Sequence, residues 1–217
     1  MSIKKSEFNL QVNDTTARAY LAAPENGGPG VLVLHAWWGL KPFFKQVCDQ
    51  LAEQGFTALA PDYYQGRVAA TIEEAKAMLE QRDEELMGDT IKTAHDHLAA
   101  QTSQPIATLG FSMGASWALL VAANEPDVAA TVMFYGAGEA DYTKLNLQVL
   151  GHFAGKDEWE DEKYIRAMED GMQAAGLGVR FHFYPNTSHW FFENDRPEFN
   201  PDAAKLAWSR TLEFLRK

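Results

Sequence analysis

The apolar positions along the chain follow two rhythms. Residues 8–12 and 17–22 alternate apolar and polar side chains, which predicts two strands of a hairpin turning at Asn13-Asp14-Thr15. Val31-Leu32-Val33-Leu34 is continuously apolar up to His35, as expected for a strand covered on both faces of a parallel sheet. Ala36-Trp37-Trp38-Gly39-Leu40 then leaves it as a loop. After Pro42, suited to a first helical turn, the positions Phe44, Val47, Cys48, Leu51 and Ala52 keep helical spacing, and Gly55 ends that helix. Residues 57–60 read as the next strand, leaving through Pro61-Asp62-Tyr63-Tyr64, and 71–81 and 84–101 read as helices.

The second half repeats the alternation. A short apolar segment from Ile106 runs into Gly110-Phe111-Ser112-Met113-Gly114 and then a helix over 115–124. Strands follow at 128–135, 147–154 and 179–184. They are separated by a helix marked by Tyr164, Ile165, Met168, Met172 and Ala175, ended by Gly176. A last helix starts at Asp202, with the stripe Ala204, Ala207, Trp208, Thr211, Leu212 and Leu215. Repeated strand–helix units after an opening hairpin predict an α/β fold: a mainly parallel sheet of about seven or eight strands with helices on both faces. Pro/Gly clusters are short and fall between elements, so residues 1–217 are expected to form one domain with no linker, repeat or cap.

Composition narrows the class. The 217 residues are 46% hydrophobic and 23% charged, enough for a sizeable core, and the net charge of −11 argues against a nucleic-acid or anionic-membrane partner. The one cysteine, Cys48, permits no internal disulfide and sits on a helix's apolar stripe, where core packing is expected. No apolar run approaches the ~18 residues of a membrane span, and the first residues lack a signal core. The expectation is a cytoplasmic protein, monomeric or weakly dimeric, with no nucleic acid, membrane, metal or cofactor involved.

The candidate chemistry lies in the loops that leave strands, where ligands bind in such sheets. Gly-x-Ser-x-Gly between a strand and a helix is a sharp turn that lifts a serine clear of the sheet, so Ser112 is the candidate nucleophile. Asp157 follows the seventh strand and His189 the eighth, giving the order Ser, Asp, His. A serine hydroxyl needs an imidazole to take its proton, and the imidazole needs a carboxylate to fix its tautomer. The oxyanion then needs N–H donors, for which Met113 and the backbone of Trp37 are the candidates. His189 is chosen because His152 and His182 lie inside strands, where a structural role is expected, and His95 and His97 lie in a helix, expected at the surface. His35 ends a strand and either shapes the pocket or is simply packed there. Asp157 is preferred to Asp141 and Asp161, and Glu158, Glu160 and Glu162 read as a solvated acidic face. His35, Ala36, Trp38, Tyr63, Tyr64, Tyr135, Trp190 and Phe191 gather in exit loops and are expected to line an apolar substrate pocket.

On the stretches 31–40, Ala60-Pro61-Asp62-Tyr63-Tyr64, Gly110 to Gly114, Gly155-Lys156-Asp157-Glu158 and Tyr184-Pro185-Asn186-Thr187-Ser188-His189, the sequence resembles the dienelactone hydrolase family of the α/β-hydrolase fold. The match is collinear over nearly the whole chain. The resemblance implies hydrolysis of small esters or lactones. Three departures stand out. The prototypes use a cysteine where Ser112 stands, a glutamate where Ala36 stands, and an arginine soon after the histidine, where this chain reads Trp190-Phe191-Phe192-Glu193 and the nearest arginine is Arg196. Serine and Ala36 together suit an esterase mechanism and weaken the case for dienelactone itself. The competing readings are a non-catalytic binding module on the same fold, carboxymethylenebutenolidase activity proper, and peptide or thioester cleavage by the same three residues.

Overall fold

The computed structural model describes residues 2–217. They form an α/β fold with an eight-stranded, mostly parallel sheet and six α-helices. Two compact units, divided between Ile106 and Ala107, make up the chain.

The first unit opens with strands β1 (Ile3–Val12) and β2 (Thr15–Pro24), paired antiparallel from Ile3↔Pro24 to Val12↔Thr15. The hairpin is longer than the alternating pattern predicts, and Thr15 belongs to the strand rather than the turn. Asn13, at φ 49°, lets the chain reverse within two residues. β2 pairs antiparallel with β4 (Thr57–Pro61), which pairs in parallel with β3 (Gly30–Leu34). Every residue of β3 and β4 is buried, which accounts for their unbroken apolar sequences. Helix α1 (Pro42–Glu53) carries Pro42 in its first turn and buries Phe44, Val47, Cys48, Leu51 and Ala52, the predicted stripe. Helix α2 (Ile72–Glu80) starts on a capping box between Thr71 and Glu74.

Helix α3 (Glu84–Ala99) corrects one expectation. His95 is buried, not at the surface, because it shares a face with Met87, Ile91, Ala94 and Leu98. His97 is half-buried, its ring 4.7 Å from that of Phe8.

The second unit begins one residue into β5 (Ile106–Phe111) and continues through α4 (Met113–Asn124), β6 (Val128–Phe134), β7 (Gln148–Ala154), α5 (Glu162–Ala174), β8 (Gly178–Tyr184) and α6 (Pro201–Leu215). β6, β7 and β8 pair in parallel, from Ala130↔Gln148 and Gln148↔Gly178 onward. The β6–β7 connection carries only a 3-10 turn at Tyr142–Lys144. His152, inside β7, is fully buried and bridges two elements: its ring nitrogens lie 2.8 Å from the Tyr184 hydroxyl and 2.9 Å from Thr211 Oγ1 on α6. Burial pushes its pKa well down, and the charges of His182 and Arg210 add to this, so it stays neutral and structural.

Candidate active site

The turn at Ser112 is built by steric necessity. Gly110, next to last in β5, runs so close to the following helix that a Cβ there would lie 2.1 Å from Gly114 O and 2.6 Å from Ala115 Cα. Ser112 sits between them at φ 50° and ψ −119°, a conformation that costs a non-glycine residue about 1–3 kcal/mol. Its N–H donates to Phe134 O at 2.9 Å and its C=O accepts from Ala115 N at 2.8 Å, so both sides of the strained residue are held. The segment leaving β6 braces the turn a second time: a Cβ at Gly136 would lie only 2.1 Å from Ser112 O. Met113 opens α4, so its N–H lies at the helix's positive end.

Two loops bring their side chains to this turn. After β8 the chain makes Asn186 (φ 60°) and Trp190 (φ 62°), and His189 between them points its ring at Ser112. The Ser112 hydroxyl donates to His189 Nε2 at 2.9 Å. His189 Nδ1–H donates to Asp157, 2.8 Å from Oδ2 and 3.0 Å from Oδ1. The tautomer follows from the partners, since a carboxylate only accepts. The His189 and Asp157 side chains are 4% and 7% exposed, so the pair is shielded from water.

The aspartate is fixed by its own loop. Asp157 Oδ1 also accepts the N–H groups of Trp159 (2.9 Å) and Glu160 (3.1 Å). The loop is stapled to the histidine loop by Gly155 N to Tyr184 O (2.8 Å) and Lys156 N to Thr187 O (2.9 Å). Asp141 and Asp161, the competing acids, instead cap the 3-10 turn and α5, accepting from Thr143 N and Lys163 N. The arrangement can move a proton from a serine hydroxyl onto an imidazole and stabilise the resulting imidazolium, which is what acyl transfer through serine requires.

Aromatic rings surround His189. Trp190 meets it edge-on at 4.9 Å and Tyr135 lies at 5.1 Å. Phe191 is fully buried behind them against Tyr135 and Tyr184, so it backs the site rather than facing solvent. Two residues nearby are not singled out by the sequence. Trp159 is 42% exposed, with its ring 6.4 Å from His189 and 5.4 Å from Trp190. Glu193 is fully buried and accepts the Tyr135 hydroxyl at 3.0 Å.

Glu160 overturns its expected place on a solvated acidic face. It is half-buried, and its carboxylate accepts the Ala137 N–H at 3.3 Å. Burial pushes its pKa up to about 7; the Ala137 bond opposes the shift and the Asp157 charge adds to it. Glu158 and Glu162 are exposed, as expected.

The other predicted residues cluster within the first unit. His35 is fully buried and stacks on Tyr63, with ring centroids 3.7 Å apart. The Tyr63 hydroxyl donates to His35 O, and His35 Nδ1–H donates to Ala36 O at 2.7 Å. Tyr64 lies 5.6 Å from His35, and Trp37 and Trp38 meet edge-on at 5.4 Å. Ala36, Trp38, Tyr63 and Tyr64 are buried and Trp37 is nearly so. Burial lowers the His35 pKa to about 3, so the ring is neutral. Its Nε2 has no hydrogen-bond partner.

Comparison with known proteins places the chain. The chain is 30% identical to Protein usf of Aquifex pyrophilus over 222 residues, covering 96% of each. It is 29% identical to an Aquifex aeolicus protein provisionally named a carboxymethylenebutenolidase, covering 95% of this chain and 96% of that one. Among solved structures, a Klebsiella pneumoniae protein provisionally assigned as a dienelactone hydrolase superposes with a TM-score of 0.89 over 100% of both chains at 24% identity, which establishes the fold. The model of the dienelactone hydrolase family matches residues 17–217, and the chain belongs to that family.

Proposed function

We propose that this protein is a serine hydrolase that cleaves small, neutral carboxylic esters or lactones through an acyl-enzyme on Ser112. The observation that carries the reading is the continuous relay from Ser112 Oγ through His189 to Asp157, with contacts of 2.9 and 2.8 Å. Family membership and a relative whose name is built on a butenolide, a lactone, support the substrate class. His189 takes the serine proton as Ser112 attacks the carbonyl carbon, then returns it to the leaving alkoxide. It next deprotonates the water that releases the acid. Asp157 holds the imidazole in the tautomer that accepts at Nε2.

For the oxyanion we assign the N–H groups of Met113 and Trp37. The Trp37 assignment is supported by the bond from His35 to Ala36 O, because that carbonyl and the Trp37 N–H belong to one planar trans peptide. Fixing the carbonyl fixes the N–H in the opposite direction. A neutral substrate is favoured because Arg196, the nearest arginine after His189, is engaged. Its guanidinium lies 3.4 Å from Glu198 and 4.9 Å from the Trp190 ring centroid.

Ser112→Ala is expected to abolish p-nitrophenyl acetate hydrolysis, whereas turnover near the wild-type rate would overturn the assignment. A panel of neutral and carboxylate-bearing esters and lactones tests the charge preference. Faster turnover of the anionic members would favour carboxymethylenebutenolidase activity proper.

A further inference from the structure

Beside the relay itself, Glu160 ties the loop of Asp157 to the segment that follows β6. Its backbone N–H donates to Asp157 Oδ1, which fixes residue 160 against the acid. Its side chain then turns back and takes the Ala137 N–H. Ala137 follows Gly136, whose backbone lies directly on that of Ser112. One residue therefore links the loop carrying the acid to the segment bracing the nucleophile, with His189 bridging between Asp157 and Ser112.

We propose that Glu160 is a positioning residue for the reaction: as a carboxylate it straps the acid loop to the β6 exit segment and adds a negative charge that favours the His189 imidazolium. The proposal rests on the assignment of Ser112, His189 and Asp157 as the reacting relay. A carboxylate accepts a stronger bond from an amide N–H than a neutral acid does, so the strap tightens on ionisation. The same charge is coupled to that of Asp157, so it adds to the negative field that stabilises an imidazolium as it forms in the reaction.

The charged and titratable groups around Glu160 are few. Asp157 is in its own loop, and Lys156 and Glu162 line the same cleft, together with Phe153, Ile165 and Phe183. Tyr164 on α5 feels both Glu160 and Glu139, and its hydroxyl lies 3.5 Å from Glu139 on the β6–β7 connection. Burial first, and the Asp157 charge after it, make Glu160 a carboxyl that gives up its proton only near neutrality.

Glu160→Gln keeps an acceptor oxygen for Ala137 and removes the ionisation, so it mimics the protonated state at every pH. On the full-length enzyme with p-nitrophenyl acetate, its kcat is expected to match wild type within about twofold near pH 5.5, where wild-type Glu160 is itself protonated. Near pH 8.5 it is expected to lag roughly fivefold, with KM unchanged. Glu160→Asp, which ionises but reaches less far, is expected to recover part of the alkaline rise. A Glu160→Gln-to-wild-type ratio that is constant with pH, or a defect confined to KM, would overturn the proposal. Ser112→Ala separates the layers: if it is inactive and the ratio is flat, only the role of Glu160 fails. If it remains active, the relay assignment and this inference fall together.

Discussion

Two loops of this protein end parallel strands in a histidine or carry one soon after, and they treat it in opposite ways. His35 directly follows β3, is fully buried, and gives its Nδ1–H to a neutral carbonyl. His189 follows β8, is almost as buried, and gives its Nδ1–H to the Asp157 carboxylate while its Nε2 takes a serine hydroxyl. Burial alone makes His35 a poor base, with its pKa lowered to about 3. Burial with a compensating charge is what a general base needs, because the imidazolium formed on proton transfer has somewhere to place its charge. The partner on Nδ1, not the depth of the ring, separates the histidine suited to the proposed role of base from the other. His152 belongs with His35: both its nitrogens face hydroxyls, and it stays neutral.

The contrast can be broken by exchanging what each histidine loses. His189→Gln is expected to reduce kcat by roughly 10⁴-fold or more, since it removes the base. His35→Gln is expected to cost about tenfold or less, with KM unchanged, through a less fixed Trp37 peptide. Equal losses from the two substitutions in a steady-state ester assay would erase the distinction. Asp157→Asn leaves the shape of the loop and takes away the charge, with an expected fall of about 10³–10⁴-fold in kcat. Retention of most activity would show that the carboxylate is dispensable.

The same contrast has a sign in stability. Unfolded, His35 binds a proton near pH 6.5; folded, it binds one only near pH 3. The protonation-linked cost of its burial is therefore absent above pH 6.5, and stability is lost as pH falls from 6.5 towards 3, by about 1.4 kcal/mol per unit. His35→Gln removes that slope. Urea unfolding at about pH 7 and pH 5 is expected to show the variant gaining roughly 2 kcal/mol relative to wild type on going to the lower pH. No change in the difference between the two proteins would mean that His35 is not held neutral. The smallest expected effect is at Trp159, whose exposed ring stands beside His189 and Trp190. Trp159→Ala keeps the backbone N–H that holds Asp157 and is expected to raise KM for aryl esters a few-fold, leaving short alkyl esters unaffected. Equal shifts for both would place the ring outside substrate contact.

What the sequence reveals follows the range of the forces involved. The turn at Ser112 is legible because its demands are local: Gly110 must lack a side chain because its backbone nearly touches that of Gly114 and Ala115. The burial of β3 and β4 is legible because both faces are apolar at every position. Ser112, Asp157 and His189 are legible as a set because each follows a strand, and the order of the loops brings them to one place. Glu160 and Glu193 were not, because the groups that bury and satisfy them, Ala137 and Tyr135, lie far along the chain. A run of acidic residues carries no sign of which one turns inward. His95 illustrates a related limit: one helical residue at the edge of an apolar stripe falls on either side of it according to packing. Trp159 gave no signal because it lies among charged residues, yet its main chain caps Asp157 and its ring reaches the histidine.

The central claim is that Ser112 forms the covalent intermediate. Its most direct test is to label the native protein with a fluorophosphonate and locate the adduct by peptide mass spectrometry. A single stoichiometric adduct is expected on the peptide containing Ser112, lost in Ser112→Ala and strongly slowed in His189→Gln. An adduct on another residue, or ester turnover by protein that takes up no label, would contradict it.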